Sequence, residues 1–289
     1  MSKLDELQFA MMGDMDECRM SLYGIHRLLN TRTMGAAQLM PALDGLDVMA
    51  REHCRSIERF IACLSAELLV RQPSQQCWRS LVEGIGKEAR ALLEAIVDAV
   101  AERGRLGAKA RLDLEERVAR LGVRLEAQRA VSMAVVQALR QRARLCQLCD
   151  LFGASNPMAG TFGARTVDLF LLDRGDPPML MAEAVRLVLH QELCWLADNG
   201  HDKLAAWWRR DAGLAIVVRS AAAGAGPSSS RTVEHVCRPL RATTPYETHA
   251  TALLADQLSI VVERGDAGVT VTAPEFVARP APGLKLVTG

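Results

Sequence analysis

Residues 153–163, GASNPMAGTFG, divide this sequence of 289 residues into two parts of different character. They are small, polar or turn-forming, which is typical of a linker. Before them, apolar residues recur at helical spacings; after them, β-rich runs alternate with helical segments. The sequence therefore predicts an α+β protein, with an N-terminal antiparallel helical bundle or coiled coil followed by an α/β sandwich.

The part before the linker is predicted to form long helices joined by short breaks. The helices cover about 2–31, 35–71, 75–103 and 107–152, giving one hairpin over 1–72 and a second over 73–152. In the fourth helix, alternating spacings of three and four residues mark a seam at Leu114, Val118, Leu121, Leu125, Gln128, Ser132, Val135, Leu139, Arg142, Cys146 and Cys149. A seam of this kind packs against another helix, so we expect a bundle that also forms a homodimer.

The part after the linker, residues 164–275, mixes strands and helices. Strands are predicted at 166–172, 214–219 and 268–274, and helices at 181–198 and 251–262. The sequence Trp207-Trp208-Arg209-Arg210 is predicted at the end of a helix or in a loop, where it either covers the core or contacts a partner. The tail, 276–289, is expected over the surface or disordered.

Charge and hydropathy exclude several classes of function. The 35 Lys and Arg residues nearly balance the 34 Asp and Glu residues, so no overall field drives binding to nucleic acid or anionic lipid. No run of about 18 apolar residues occurs, and the acidic residues near the start do not fit a signal peptide. We therefore expect a soluble, cytoplasmic protein with no membrane partner and with reduced cysteines.

Familiar catalytic and metal-binding patterns are also missing. The sequence has no Gly-x-Ser-x-Gly elbow, no Walker lysine loop and no dinucleotide fingerprint. The CxxC pair Cys146 and Cys149 lies on the apolar seam, which favours a core position over a zinc or redox site. His190 and Cys194 are four residues apart on a helix, and they would bind a metal only if folding brought further ligands such as His235 and Cys237 to them. No metal or cofactor is predicted.

Several segments after the linker follow one another in a recognisable order. They are the turn Asp173-Arg-Gly-Asp-Pro-Pro178 with the helix 186–199, the strand 216–220 running into Gly224-Ala-Gly226-Pro227, the segment 238–244, and a closing helix followed by Glu263-Arg-Gly-Asp-Ala-Gly268 and Val269-Thr-Val271. Together with the preceding helical hairpin, this order resembles the ATP-binding domain of the GHKL superfamily, as it occurs in sensor histidine kinases and histidine phosphotransferases. The resemblance covers roughly residues 75–274.

The sequence departs from that family at its nucleotide contacts. The family's helix supplies an Asn to the magnesium ion, but the matching residue is Trp195, whose indole offers no oxygen ligand. The stretch that should contain the adenine-binding Asp reads Ala221-Ala-Ala-Gly-Ala-Gly226, and no glycine for a phosphate lid lies between Gly226 and Gly265. The resemblance therefore implies a pseudokinase-like domain that does not bind ATP, with Trp195 filling the vacated pocket.

These features favour a non-catalytic signalling or regulatory protein that homodimerises and binds a partner. One alternative is a histidine phosphotransferase that exchanges phosphoryl groups with a response-regulator receiver. Because the hairpin over 75–152 contains no histidine, the acceptor would be His53 or His26. His53 has the better surroundings, since the neighbouring arginines of Arg51-Glu-His-Cys-Arg55 would steady a phosphoryl group.

A second alternative is a nucleic-acid-associated protein that uses a basic helix face. Arg117, Arg120 and Arg124 share one face of the fourth helix and would contact phosphates or an acidic partner. Acidic residues interrupt this face and no aromatic residues accompany it for base stacking, which favours a solvated helix surface.

Overall fold

The computed structural model describes residues 3–31, 36–72, 74–101, 108–140, 143–145, 148–152, 165–172, 178–180, 182–210, 213–221 and 232–274. Within them, four long helices precede a mixed six-stranded sheet. The predicted α+β class is confirmed. The linker 153–163 and the tail 276–289 lie outside the described residues.

The four long helices form one bundle. They are α1 (Lys3–Asn30), α2 (Ala36–Arg71), α3 (Gln76–Ala101) and α4 (Ala108–Arg140). Contacts join α1 to α2, α2 to α3, α3 to α4, and α4 back to α1. Arg140 pairs with Asp5, and Arg111 Nη2 donates to the Leu29 carbonyl at 2.7 Å, so α1 and α4 run antiparallel.

The apolar seam of α4 is buried inside this bundle. Its described members are Leu114, Val118, Leu121, Leu125, Gln128, Ser132, Val135 and Leu139, and all of them are buried. They belong to the core between α4 and its neighbours α1 and α3 of the same chain. The seam therefore predicts the helix packing correctly but gives no separate support to a homodimer.

The fourth helix is shorter than predicted. It ends at Arg140 instead of residue 152, and it is followed by β1 (Ala143–Leu145) and the short helix α5 (Leu148–Phe152). The chain leaves the helix because β1 pairs antiparallel with β3 (Pro178–Leu180), a strand far along the sequence. Local spacing carries no information about such a pairing.

The main sheet has the strand order β6-β2-β4-β5-β8-β7. Its strands are β2 (Arg165–Leu172), β4 (Lys203–Arg210), β5 (Leu214–Ser220), β6 (Thr232–Leu240), β7 (Val261–Gly265) and β8 (Gly268–Ala273). Strands β2 and β4 are parallel and are connected through α6 (Ala182–Asp198), whereas the other neighbours are antiparallel. The predicted strands at 166–172, 214–219 and 268–274 and the helix at 181–198 are confirmed.

Other elements of this part differ from the prediction. Trp207 and Trp208 lie in the inner strand β4 and not at a helix end or in a loop, because β4 pairs with both β2 and β5. The last helix, α7 (Pro245–Gln257), starts earlier than predicted because the Thr244 hydroxyl accepts a hydrogen bond from the Glu247 N–H and caps it. Residues 261 and 262, predicted as helix, belong to β7, which pairs with β8.

Helices α6 and α7 lie between the sheet and the bundle. Helix α6 contacts α4, α7 and β8, and α7 contacts α3 and α4. The Glu183 N–H at the start of α6 donates to Gln137 Oε1 of α4 at 2.7 Å. Most of the buried apolar residues described in the two parts form one continuous cluster, and Leu172, Trp207 and Val217 form a smaller separate one. Across the described ranges, no helix has the length and apolarity to cross a membrane.

Candidate functional site

His53 lies in the interior of the helical bundle. It is only 3% exposed, and neither ring nitrogen has a hydrogen-bond partner among the described residues. Burial lowers the pKa of its imidazole below 6.5, against the opposing effects of Gln128 and Asp14. An acceptor of phosphoryl groups must reach an aspartate of another protein, so His53 does not meet the condition for that role in this structure.

His26, the other candidate acceptor, is half-buried on α1. Its Nε2 accepts a hydrogen bond from Asn30 Nδ2 at 3.1 Å. This contact lies within one helix and occupies one ring nitrogen. The phosphotransfer role of His26 stays a prediction.

Two of the three arginines of the proposed basic face are paired with acidic residues. Arg120 is 67% exposed and pairs with Glu116 at 2.8 Å, one turn earlier on α4. Arg124 pairs with Glu88 of α3 at 2.8 Å, and Arg117 is half-buried. These ion pairs agree with a solvated helix surface that also joins α3 to α4.

Trp207 and Trp208 point to opposite faces of β4, as consecutive strand residues do. Trp207 is 8% exposed and packs with Leu172 and Val217. Trp208 is half-buried and packs against the main core. Both side chains therefore serve mainly in packing and present little surface to a partner.

The residues considered as metal ligands are not brought together. Cys194 Sγ lies 3.8 Å from His190 Nε2 on α6. His235 lies on β6, where its Nε2 is 3.2 Å from Asp168 Oδ1 and its ring stacks on Phe170, both residues of β2. In the described part of the chain, no group of three or more His, Cys, Asp or Glu residues is arranged to hold a metal ion. The CxxC prediction is not addressed, because Cys146 lies outside the described residues.

A cleft of about 360 Å³ lies where α6 and α7 meet β7, a strand at the edge of the sheet. Helical spacing brings Val188, Gln191 and Glu192 to one face of α6. The remaining walls come from Thr251, Ala252 and Ala255 of α7 and from Val262 and Arg264 of β7. This cleft is the candidate functional site, and we call it the α6–α7–β7 cleft.

Two residues that line the cleft form an ion pair, and an aromatic ring outside the lining stacks on it. Glu192 is 3% exposed and accepts two hydrogen bonds from Arg264, from Nε at 2.7 Å and from Nη2 at 2.8 Å. The Arg264 guanidinium carbon lies 5.0 Å from the centre of the Trp195 ring, within the range of a cation–π interaction. Trp195 is therefore stacked against a guanidinium that the ion pair with Glu192 holds in place.

Two further polar groups of the cleft are buried without partners. Among the described residues, neither Thr251 Oγ1 nor Gln191 Nε2 has a hydrogen-bond partner. Thr251 is only 2% exposed, so solvent does not satisfy its hydroxyl. Native proteins leave few buried polar groups unsatisfied, so each of these two calls for an explanation.

A buried ion pair fixes the position of α7. Arg241 Nη1 donates to Glu247 Oε2 at 2.6 Å, and Arg241 Nη2 also pairs with Glu247 Oε1. The two side chains are 9% and 0% exposed. Since Glu247 lies one turn before Thr251, this pair also sets the position of the wall that carries the unpartnered hydroxyl.

Sequence reasoning found Trp195 but missed Arg264, Glu192 and Thr251. Arg264 belongs to a quoted segment, Glu263-Arg-Gly-Asp-Ala-Gly268, but nothing local links it to a helix 72 residues earlier. Periodicity along α6 gives one usable signal, because Glu192 interrupts an otherwise apolar face. A buried acid requires a partner, although the sequence does not say which one.

Comparison of the chain with protein-family models, with curated proteins and with solved structures gave no match.

Proposed function

We propose that the protein is a non-catalytic signalling or regulatory protein that acts by binding a partner protein, and that its sheet-containing part is pseudokinase-like and binds no ATP. The observation that supports this best is the contact between Trp195, Arg264 and Glu192. A nucleotide-bound magnesium ion needs oxygen ligands. On the resemblance, the residue at the metal-ligand position is Trp195, whose indole offers no oxygen ligand, and the nearby carboxylate of Glu192 is already engaged by Arg264.

The proposal includes a homodimer and, from the resemblance, a signalling partner such as a response-regulator receiver. The seam of α4 is used within the chain, so a dimer would use other surfaces of the bundle. Large apolar side chains exposed on its helices are Phe9, Met20, Val48, Leu69, Val70 and Leu112. Apolar side chains mark a protein–protein contact where they form one contiguous patch, so a dimer of this chain would bring several of these residues together.

Incubation of the purified protein with magnesium and γ-labelled ATP tests the absence of catalysis. We expect neither labelled protein nor released phosphate above the level of buffer alone, with an active histidine kinase as the positive control. Labelling or hydrolysis by the wild type that disappears in Glu192→Ala would contradict the proposal.

Sedimentation velocity over a range of about 1–50 µM tests the dimer, since association depends on concentration. A single dimeric species, or a monomer–dimer shift within that range, is expected. A monomer at every concentration would contradict the dimer without affecting the claim about ATP.

A further inference from the structure

Helix α1 carries two large apolar side chains on the side that faces away from the bundle. Phe9 and Met20 are 79% and 55% exposed. They are eleven residues apart, which is close to three complete turns of a helix, so they lie on nearly the same side of α1. The buried residues of α1, among them Met15 and Leu22, lie on the opposite side. This side of α1 therefore takes no part in the core of its own chain.

Each of these apolar residues is followed, one turn later, by a glycine on the same side. Gly13 follows Phe9 and Gly24 follows Met20, both by four residues. A Cβ atom at either glycine would meet no other described part of the chain within 4 Å, so packing within the described chain does not require a glycine there. Glycine within a helix is also unfavourable compared with alanine. The two glycines therefore call for an explanation beyond the fold of a single chain.

We propose that Phe9, Gly13, Met20 and Gly24, which we call the α1 outer face, bind the same face of a second copy of the chain, with the two helices antiparallel. The inference rests on the homodimer of the proposed function and names its interface. A two-fold interface requires a patch that is complementary to itself. This face meets that condition: when Phe9 faces the partner's Gly24, Met20 faces the partner's Gly13, because both pairs are centred on the same point of the helix.

The complementarity is one of size. Each large apolar side chain lies opposite a position where the partner has no side chain, so the two helices can approach closely. Four large apolar side chains, two from each copy, then leave water together, which favours association. The glycines are explained by the space that they leave for the partner.

The charges at the two ends of this face are complementary as well. Glu6 and Arg27 are exposed and continue the same line along α1, before Phe9 and after Met20. In the same register, Glu6 faces the partner's Arg27 and Arg27 faces the partner's Glu6. Within one chain these two residues are 21 positions apart, about 32 Å along the helix, so they do not pair with each other. This charge pattern favours a second copy over an unrelated partner.

The middle of the interface brings like charges together. Glu17 lies beside the two-fold axis and approaches the partner's Glu17, whereas Asp16, on the other flank, is paired with Arg19 and Arg129 of its own chain. The contact also extends over only about 32 Å of one helix, which makes a small interface. We therefore expect a dimer with a Kd of about 1–50 µM.

Sedimentation velocity of the full chain over that range tests the interface with a glycine variant. Gly13→Gln places a polar side chain where the partner's Met20 packs and should weaken association at least about tenfold. Glutamine favours a helix more than glycine does and meets no described neighbour there, so circular dichroism should show a folded variant. Gly45→Gln makes the same change on α2, where a Cβ atom also meets no described neighbour, and should leave association unchanged.

An exchange of charges assigns the contact to two copies. Glu6→Arg and Arg27→Glu should each weaken association about tenfold at low salt, because each places like charges opposite one another twice in the dimer. The double variant should regain the affinity of the wild type, since the facing charges are again opposite. Such a rescue requires a second copy, because the two positions are too far apart within one chain.

Two results would overturn this interface: a wild-type dimer that Gly13→Gln leaves unchanged, or a double charge variant that associates no better than the single variants. Either result leaves the homodimer of the proposed function standing, with its interface elsewhere. A wild-type chain that stays monomeric at every concentration would contradict both the interface and the proposed homodimer.

Discussion

Replacing Thr251 by valine should increase the stability of the ligand-free protein. The threonine is 2% exposed, and its hydroxyl has no hydrogen-bond partner among the described residues. Valine has nearly the same shape and places a methyl group where the hydroxyl lies. Because an unsatisfied buried hydroxyl costs about 1–2 kcal/mol, its removal should raise the free energy of unfolding by that amount.

The magnitude depends little on other effects of the substitution. Both residues are β-branched and have similar helix propensities, so the backbone of α7 should be unaffected. For a domain of this size, each kcal/mol corresponds to about 2–4 °C in Tm. Differential scanning calorimetry should therefore show a rise of about 2–8 °C for Thr251→Val and almost no change for the exposed control Thr248→Val.

A decrease in stability would refute the reasoning. If Thr251→Val lowers the free energy of unfolding by about 1 kcal/mol or more, the hydroxyl must form a hydrogen bond in the native protein. The cleft would then hold one unpartnered polar group fewer.

Three other predictions follow from buried groups. Acid should destabilise the protein, because burial lowers the pKa of His53, and burial together with nearby arginines lowers that of His190 well below 6.5. Each histidine therefore takes up protons more readily when the protein is unfolded, so acidification from about pH 7.5 to pH 5.5 should lower the free energy of unfolding by at most about 1.4 kcal/mol for each. A Tm that does not change with pH would contradict this. Arg241→Met should lower the free energy of unfolding by about 3–5 kcal/mol, because it leaves Glu247 buried without its cation. The control Arg120→Met, at an exposed ion pair, should lower it by less than about 1 kcal/mol. Urea titrations measure both changes. Phosphoramidate donates a phosphoryl group to accessible histidines. It should leave His53 unmodified in the folded protein and modify it in urea, as measured by mass spectrometry at neutral pH. Modification of His53 in the folded protein would restore the phosphotransfer hypothesis.

Patterns that repeat along the chain predicted the elements whose packing is local. The four long helices and the strands at 166–172, 214–219 and 268–274 follow from periodicity, since each buries one face. The start of α7 was also readable, because Thr244 and Glu247 have the spacing of a capping box ahead of the helix. This capping signal sets the start of the helix more strongly than the apolar spacing further along the chain.

The remaining differences arise from contacts between distant residues. Strand β1 forms because residues 143–145 pair with 178–180, and β4 takes up Trp207 and Trp208 because it has partners on both sides. The side chain of His53 is buried by α2 packing in the bundle, although its neighbour Arg51 is exposed. Sequence spacing places a residue on a helix face but does not say what covers that face.

In the candidate site, too, some features were predictable from local sequence and others depend on contacts between distant residues. Substitution of the expected Asn by Trp195 was visible in the sequence and predicted a lost metal ligand. The cation over its ring and the unpartnered Thr251 hydroxyl depend on β7 and α7 meeting α6, which no local pattern specifies.

Calorimetric titration of the purified full chain with MgATP and MgADP tests the central claim most directly. The stacking of Arg264 on Trp195 and its ion pair with Glu192 predict no detectable nucleotide binding at millimolar concentrations. Binding with a micromolar Kd would contradict the account, because it would require oxygen ligands for magnesium and a phosphate site where an indole and a neutralised ion pair lie.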